Sequence, residues 1–231
     1  MKKTLILQIK NGGMGDHLFH SHIPRIAKET GAYERVFISN KSELRNSDYK
    51  TYFWEKNPFV DGFIDEEGVS VSFTDIPEGQ NILDHIMLLL GLDDGKRFHE
   101  PEIYFKPNKI PWLEDKTLYD PNYISNAGKL TGPKIEKYFK DHNIKIDYQM
   151  KIRAGNSLPI TSFDSYLECT NSHQSSFLNF IDVIYSVKEL YSVVTGTATL
   201  ACALGRKDHV FYTKDQHPMF RHSKLNTYIE L

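Results

Sequence analysis

The chain opens on a nearly unbroken apolar run, Leu5-Ile6-Leu7-Gln8-Ile9, which stops at Asn11-Gly12-Gly13. Such a run predicts a strand covered on both faces. Leu18, Phe19, Ile23, Ile26 and Ala27 then recur on one face of a helix over residues 16–29, with Gly31 placed to end it. Pro24 falls inside that span and removes an amide hydrogen bond, so a kink is expected there. Arg35-Val36-Phe37-Ile38-Ser39 supplies the next strand. Strand, glycine turn, helix and strand make a βαβ unit, whose crossover should be right-handed.

Further along, short strands are expected at 62–65, 82–85 and 102–106. Pro107, Asn108, Lys109 and Pro111 mark a linker and a domain boundary. The second half restarts with a strand at 117–120, a Ser/Asn/Gly turn and a helix over 133–142. It continues with a helix over 177–185, a strand at 190–194, a small-residue helix over 197–204 and a strand at 208–213. Residues 143–176 carry no clear period. No internal repeat or low-complexity segment stands out. The expected architecture is α/β, two small parallel-sheet halves divided as 1–110 and 111–231, each of ordinary domain size.

Composition narrows the functional classes. The 231 residues are 40% hydrophobic, 13% aromatic and 25% charged, which excludes collagen-like and disordered chains. The net charge of −2 offers no global field for nucleic acid or anionic lipid, so any anion site must be local. Cys169 and Cys202 build neither a disulfide framework nor a CxxC zinc site. The apolar run over residues 4–9 is too short for a signal h-region, and Asp84 and His85 interrupt the stretch 82–92, which cannot span a bilayer. A cytoplasmic setting is expected, with peripheral attachment at the inner face of a membrane left open.

Two constellations carry candidate chemistry. In Asn11-Gly12-Gly13-Met14-Gly15-Asp16-His17 the glycines let a ligand approach the main chain, and Asp16 lies at the carboxyl end of a strand, where open α/β sheets place ligands. A carboxylate there can take a proton from a sugar hydroxyl, and it can equally cap the helix. Gly13, Met14, Gly15, His17 and His20 are the accompanying substrate-binding candidates. His17, His20 and His22 do not share one helix face and lack an acidic or Cys partner, so no metal site and no cofactor are expected. In the second half, Thr195-Gly196-Thr197-Ala198-Thr199 starts a helix whose free amides and dipole suit a phosphate, or simply make a capped helix packed on its sheet. Ser125-Asn126-Ala127-Gly128-Lys129 is either a diphosphate-contacting loop through Ser125, Asn126 and Lys129, or a solvated turn.

Four elements in order resemble the heptosyltransferase-like glycosyltransferases (glycosyltransferase family 9). Gly13-Met14-Gly15-Asp16-His17-Leu18 with Ile23-Pro24-Arg25 is similar to the family's GDxL…P opening, and Asn57-Pro58-Phe59-Val60-Asp61 to its NPxVD turn. Glu100-Pro101-Glu102-Ile103-Tyr104-Phe105 is similar to the strand that closes its first domain. Asp182-Val183-Ile184-Tyr185 and then the segment from Val194 to Gly205 are similar to its donor-phosphate element. Between Lys129 and Phe177 the family's donor-side lysine and ribose-binding carboxylate find no counterpart, and this chain is the shorter.

The resemblance implies a GT-B fold, two Rossmann-like domains facing across a cleft, the first holding a glycan or glycolipid acceptor and the second a nucleotide-sugar donor. It implies Asp16 as general base of an inverting, metal-independent transfer, with Thr195, Gly196 and Thr197 on the donor diphosphate. Two alternatives stand beside it. One is a catalytically silent glycan- or nucleotide-binding module of the same fold. The other is a fucosyltransferase-like enzyme, since Gly12-Gly13-Met14-Gly15 resembles that group's GGxG turn, although Asp16-His17 replaces the usual Asn-Gln.

Overall fold

A computed structural model describes residues 3–71, 76–77, 79–124, 127–152, 156–169 and 176–231. The chain divides into two compact units, Met1–Lys106 with Pro218–Ser223, and Pro107–His217 with Lys224–Leu231.

In the first unit, β1 (Thr4–Leu7), β2 (Arg35–Ser39) and β3 (Gly62–Ile64) pair in parallel in that order. Val69 bridges Leu7 on the other edge of β1. Leu5, Leu7, Val36 and Ile38 are buried, as are Leu18, Ile23 and Ile26 of the two helices that follow β1. Those helices are α1 (Met14–His20) and α2 (Ile23–Glu29), not one kinked helix. Pro24 lies in the first turn of α2, where its missing N–H needs no intrahelical acceptor, so the chain restarts a helix instead of bending one. A six-residue π-helical segment, Lys50–Glu55, buries Phe53 and Trp54.

Two expected strands of this unit are absent. Residues 82–85 belong to α3 (Ile82–Leu89). Asn81 caps it by accepting the Asp84 N–H, and Ile82, Leu83, Ile86 and Met87 fall at helical spacing on the buried face. Residues 102–106 form no strand. Side chains hold this segment in place: the Glu102 N–H donates to Ser21 Oγ at 2.8 Å, and Arg25 donates Nε and Nη2 to Glu102 Oε1 at 2.9 and 2.7 Å.

The second unit contains β4 (Thr117–Asp120), β5 (Asn122–Tyr123), α4 (Gly132–Asp141), β6 (Tyr148–Met150), β7 (Asn156–Ser157), β8 (Tyr166–Leu167), α5 (Ser176–Ser186), β9 (Glu189–Val193), α6 (Gly196–Ala203), β10 (His209–Tyr212) and β11 (Thr227–Glu230). Six of these strands form one parallel sheet, ordered β8-β6-β4-β9-β10-β11. Counted within the unit, that order is 3-2-1-4-5-6, the doubly wound Rossmann arrangement. Its chain order reverses between β4 and β9, and the carboxyl ends of those strands flank the crevice where such sheets bind ligands. β5 and β7 form a separate antiparallel pair.

One face of the sheet is aromatic. Phe139 of α4 meets Tyr119, Tyr191 and Phe211 edge-on, with ring centroids 5.6, 5.1 and 5.5 Å away. On α5, the carboxylate of Asp182 accepts both the N–H and the side-chain amide of Asn108, at 2.9 and 3.1 Å. That side chain, part of the segment similar to a donor-phosphate element, is buried against residues 107–110 and serves structure.

Candidate functional site

The first unit places its candidate chemistry where β1 runs into α1. The Gly12 carbonyl accepts the Arg45 N–H at 2.9 Å, and the Ile9 carbonyl accepts the Glu43 N–H at 2.9 Å, so the segment after β2 lies along the turn. A Cβ at Gly12 would come within 2.8 Å of the Glu43 backbone, and one at Gly13 within 2.7 Å of Asp16 Oδ2. These two glycines therefore allow a close chain crossing and allow the Asp16 side chain to fold back.

Asp16 is the third residue of α1, and its Oδ2 accepts the Gly13 N–H at 3.1 Å. The helix-capping role expected for an acid here is thus real. The side chain that makes this bond is only half-buried. Burial pushes the carboxyl up to about 6, against the downward pull of the Gly13 amide and the Arg45 guanidinium. A half-buried carboxylate with an acidity near neutrality has the attributes of a general base.

The histidines beside it make internal hydrogen bonds. His17 is fully buried. Its Nδ1 accepts the Trp54 indole N–H at 2.9 Å, which fixes the proton on Nε2, and that N–H donates to the Glu43 carbonyl at 2.9 Å. Both ring nitrogens are engaged, so His17 has none to offer a ligand. His20 is buried and bonds through Nδ1 to the Asp16 carbonyl at 2.7 Å. Burial lowers both imidazoles to about 4. Met14 and Gly15 are half-buried beside the turn.

The second unit brings its candidate residues to the sheet's reversal point. Thr195 caps α6, its Oγ1 accepting the Thr197 N–H at 3.3 Å. The Thr197 hydroxyl donates to Asp120 Oδ2 at 2.7 Å, from the first turn of α6 to the end of β4. Asp120 is buried, and its Oδ1 accepts the backbone and side-chain N–H groups of Asn122 at 3.1 and 2.7 Å. Both the amide and the hydroxyl of Thr197 thus have partners inside the unit. The first-turn amides of Gly196 and Ala198 have no intrahelical acceptor. The Thr199 hydroxyl lies 3.5 Å from the Thr195 carbonyl.

Lys129 is exposed, and its backbone N–H donates to Thr213 Oγ1 at 3.1 Å, tying the loop between β5 and α4 to the loop after β10. Ser125 and Asn126 lie outside the described residues. Two side chains escaped the sequence reading. Arg45 carries no ion pair among the described residues, and it lies between the strands at 35–39 and 62–65, where the sequence offered no motif. Asp120 had a usable signal, an acid at the carboxyl end of a buried strand.

No protein-family model matches the chain, and no curated protein matches it. Solved structures do match. A family 9 glycosyltransferase from Veillonella parvula is similar over all of this chain and 86% of its own, at 10% identity and a TM-score of 0.59. TibC, a bacterial iron-containing dodecameric glycosyltransferase of enterotoxigenic E. coli, is similar over 98% of this chain and 62% of its own, at 11% identity and a TM-score of 0.63. E. coli ADP-heptose LPS heptosyltransferase II is similar over 98% and 90%, at 10% identity and a TM-score of 0.54. The chain thus spans less than two-thirds of TibC. At such identities the likeness is one of fold, the GT-B type of α/β architecture built from parallel sheets.

Proposed function

We propose that this protein is a glycosyltransferase that moves a sugar from a nucleotide-activated donor to a glycan or glycolipid hydroxyl, with inversion and without a metal ion. The observation that carries this reading is the Asp16 carboxyl, half-buried at the end of β1 and pushed up to about 6. Asp16 accepts the acceptor hydroxyl's proton as that oxygen forms its bond to the anomeric carbon. The anomeric carbon–oxygen bond to the diphosphate breaks at the same time, and the nucleoside diphosphate leaves. The Gly196 and Ala198 amides, with the α6 dipole behind them, stabilise the charge that collects on the leaving group. The Rossmann strand order supports this assignment, because the start of α6 flanks the crevice at the β4–β9 reversal. In this reading Met14 and Gly15 belong to the acceptor side, and Lys129 with its loop to the donor side.

A panel of ADP-, GDP- and UDP-sugars, each offered with oligosaccharide acceptors in excess EDTA, tests the reading. The expected outcome is acceptor-dependent release of the nucleoside diphosphate and a product of inverted anomeric configuration. A retained configuration, or release only after a divalent ion is restored, contradicts it. The second reading, a silent binding module, is favoured by the chain's short span of TibC. It predicts calorimetric binding of a glycan or nucleotide with no release at all.

A further inference from the structure

Arg45 lies beside Asp16 without pairing to it. A Cβ built on Gly13 would stand 2.7 Å from Asp16 Oδ2 and 3.5 Å from Arg45 Nη1, so guanidinium and carboxylate share one side of the turn within about 6 Å. They are nevertheless too far apart for an ion pair. The Arg45 main chain is fixed, its N–H donating to the Gly12 carbonyl at 2.9 Å, while its side chain is exposed. A separation beyond ion-pair contact but within about 6 Å leaves room for one oxygen hydrogen-bonded to both groups.

We propose that Arg45 and Asp16 form a two-point grip on the acceptor hydroxyl, Arg45 donating to its oxygen while Asp16 accepts its proton. This inference rests on the transferase reading of the same site. Arg45 orients a lone pair of the oxygen and keeps the Asp16 carboxylate charged enough to act, opposing Glu43, whose charge works the other way. The guanidinium stays protonated throughout, so the proton balance is that of Asp16 and the hydroxyl alone.

The test is a carboxyl 13C NMR titration of Asp16 in the full chain, for wild type, Arg45→Gln and Arg45→Lys, with thermal melting as a folding control. Arg45→Gln should raise the Asp16 midpoint by about half to one pH unit, whereas Arg45→Lys should leave it nearly unchanged. An unmoved midpoint in Arg45→Gln overturns the proposal, because a guanidinium too distant to act on the carboxylate is too distant to share an oxygen with it. An equal rise in Arg45→Lys overturns it as well, since a local rearrangement and not the lost charge would be responsible. Failure of the transferase reading is separate: it shows as no acceptor-dependent release of nucleoside diphosphate by the wild type, whatever the titration gives.

Discussion

Asp16 exchanges most of its hydration for one amide hydrogen bond, and burial outweighs what the Gly13 N–H and Arg45 return. A charged group that its own fold disfavours is retained at a cost in stability. Asp16→Asn should therefore unfold in urea at pH 7 with a stability equal to wild type or higher, by up to about 3 kcal/mol. A clear loss of stability would mean that the carboxylate is there to cap α1. From sequence, the acid and its glycine turn were legible, because the capping bond of Asp16 runs to Gly13 three residues away. The role of His17 was not. Its partners Glu43 and Trp54 lie 26 and 37 residues along the chain, and nothing local distinguishes a locked imidazole from a free one.

Elements were legible where one periodicity dominated. The strands β1, β2, β4, β9 and β10 and the helices α4, α5 and α6 lie where apolar runs or helical spacing put them. The stretch from Ile82 was ambiguous because a short apolar run suits a strand or a buried helix equally. Asn81 was the deciding mark, three residues before the amide-donating Asp84. Residues 102–106 alternate like a strand, yet Arg25 and Ser21 hold the segment through Glu102, so side-chain bonds replace a ladder. Between 143 and 176 the strands β6, β7 and β8 are two or three residues each. Strands that short carry too few positions to show a period, and their pairing comes from the sheet already built beside them.

At the scale of the whole molecule, buried titrating groups set the response to pH. Burial lowers His17, His20 and His222 to about 4 and His22 to about 3. The unfolded chain binds protons at these sites below about 6.5, so their stability contribution is lost as pH falls from there toward 4. Asp208 moves the other way. Buried beneath Ser192, whose hydroxyl is 2.5 Å from its Oδ2, it is pushed up to about 8, and its contribution is lost as pH rises toward that value. Asp16 acts in the same sense as Asp208 up to about 6. Four histidines outweigh two carboxyls on the acid side, so urea titrations across pH should show a maximum near about 6.5, a steep acid fall and a shallow alkaline decline. A stability that peaks near pH 4 would contradict this burial pattern.

The central claim is that Asp16 acts on the acceptor while α6 holds the donor. Its most direct measurement is the transfer rate of Asp16→Asn beside its affinity for the same nucleotide sugar. The account predicts a rate lower by about 10²–10⁴-fold with donor affinity within about twofold of wild type. Transfer at the full rate would contradict it.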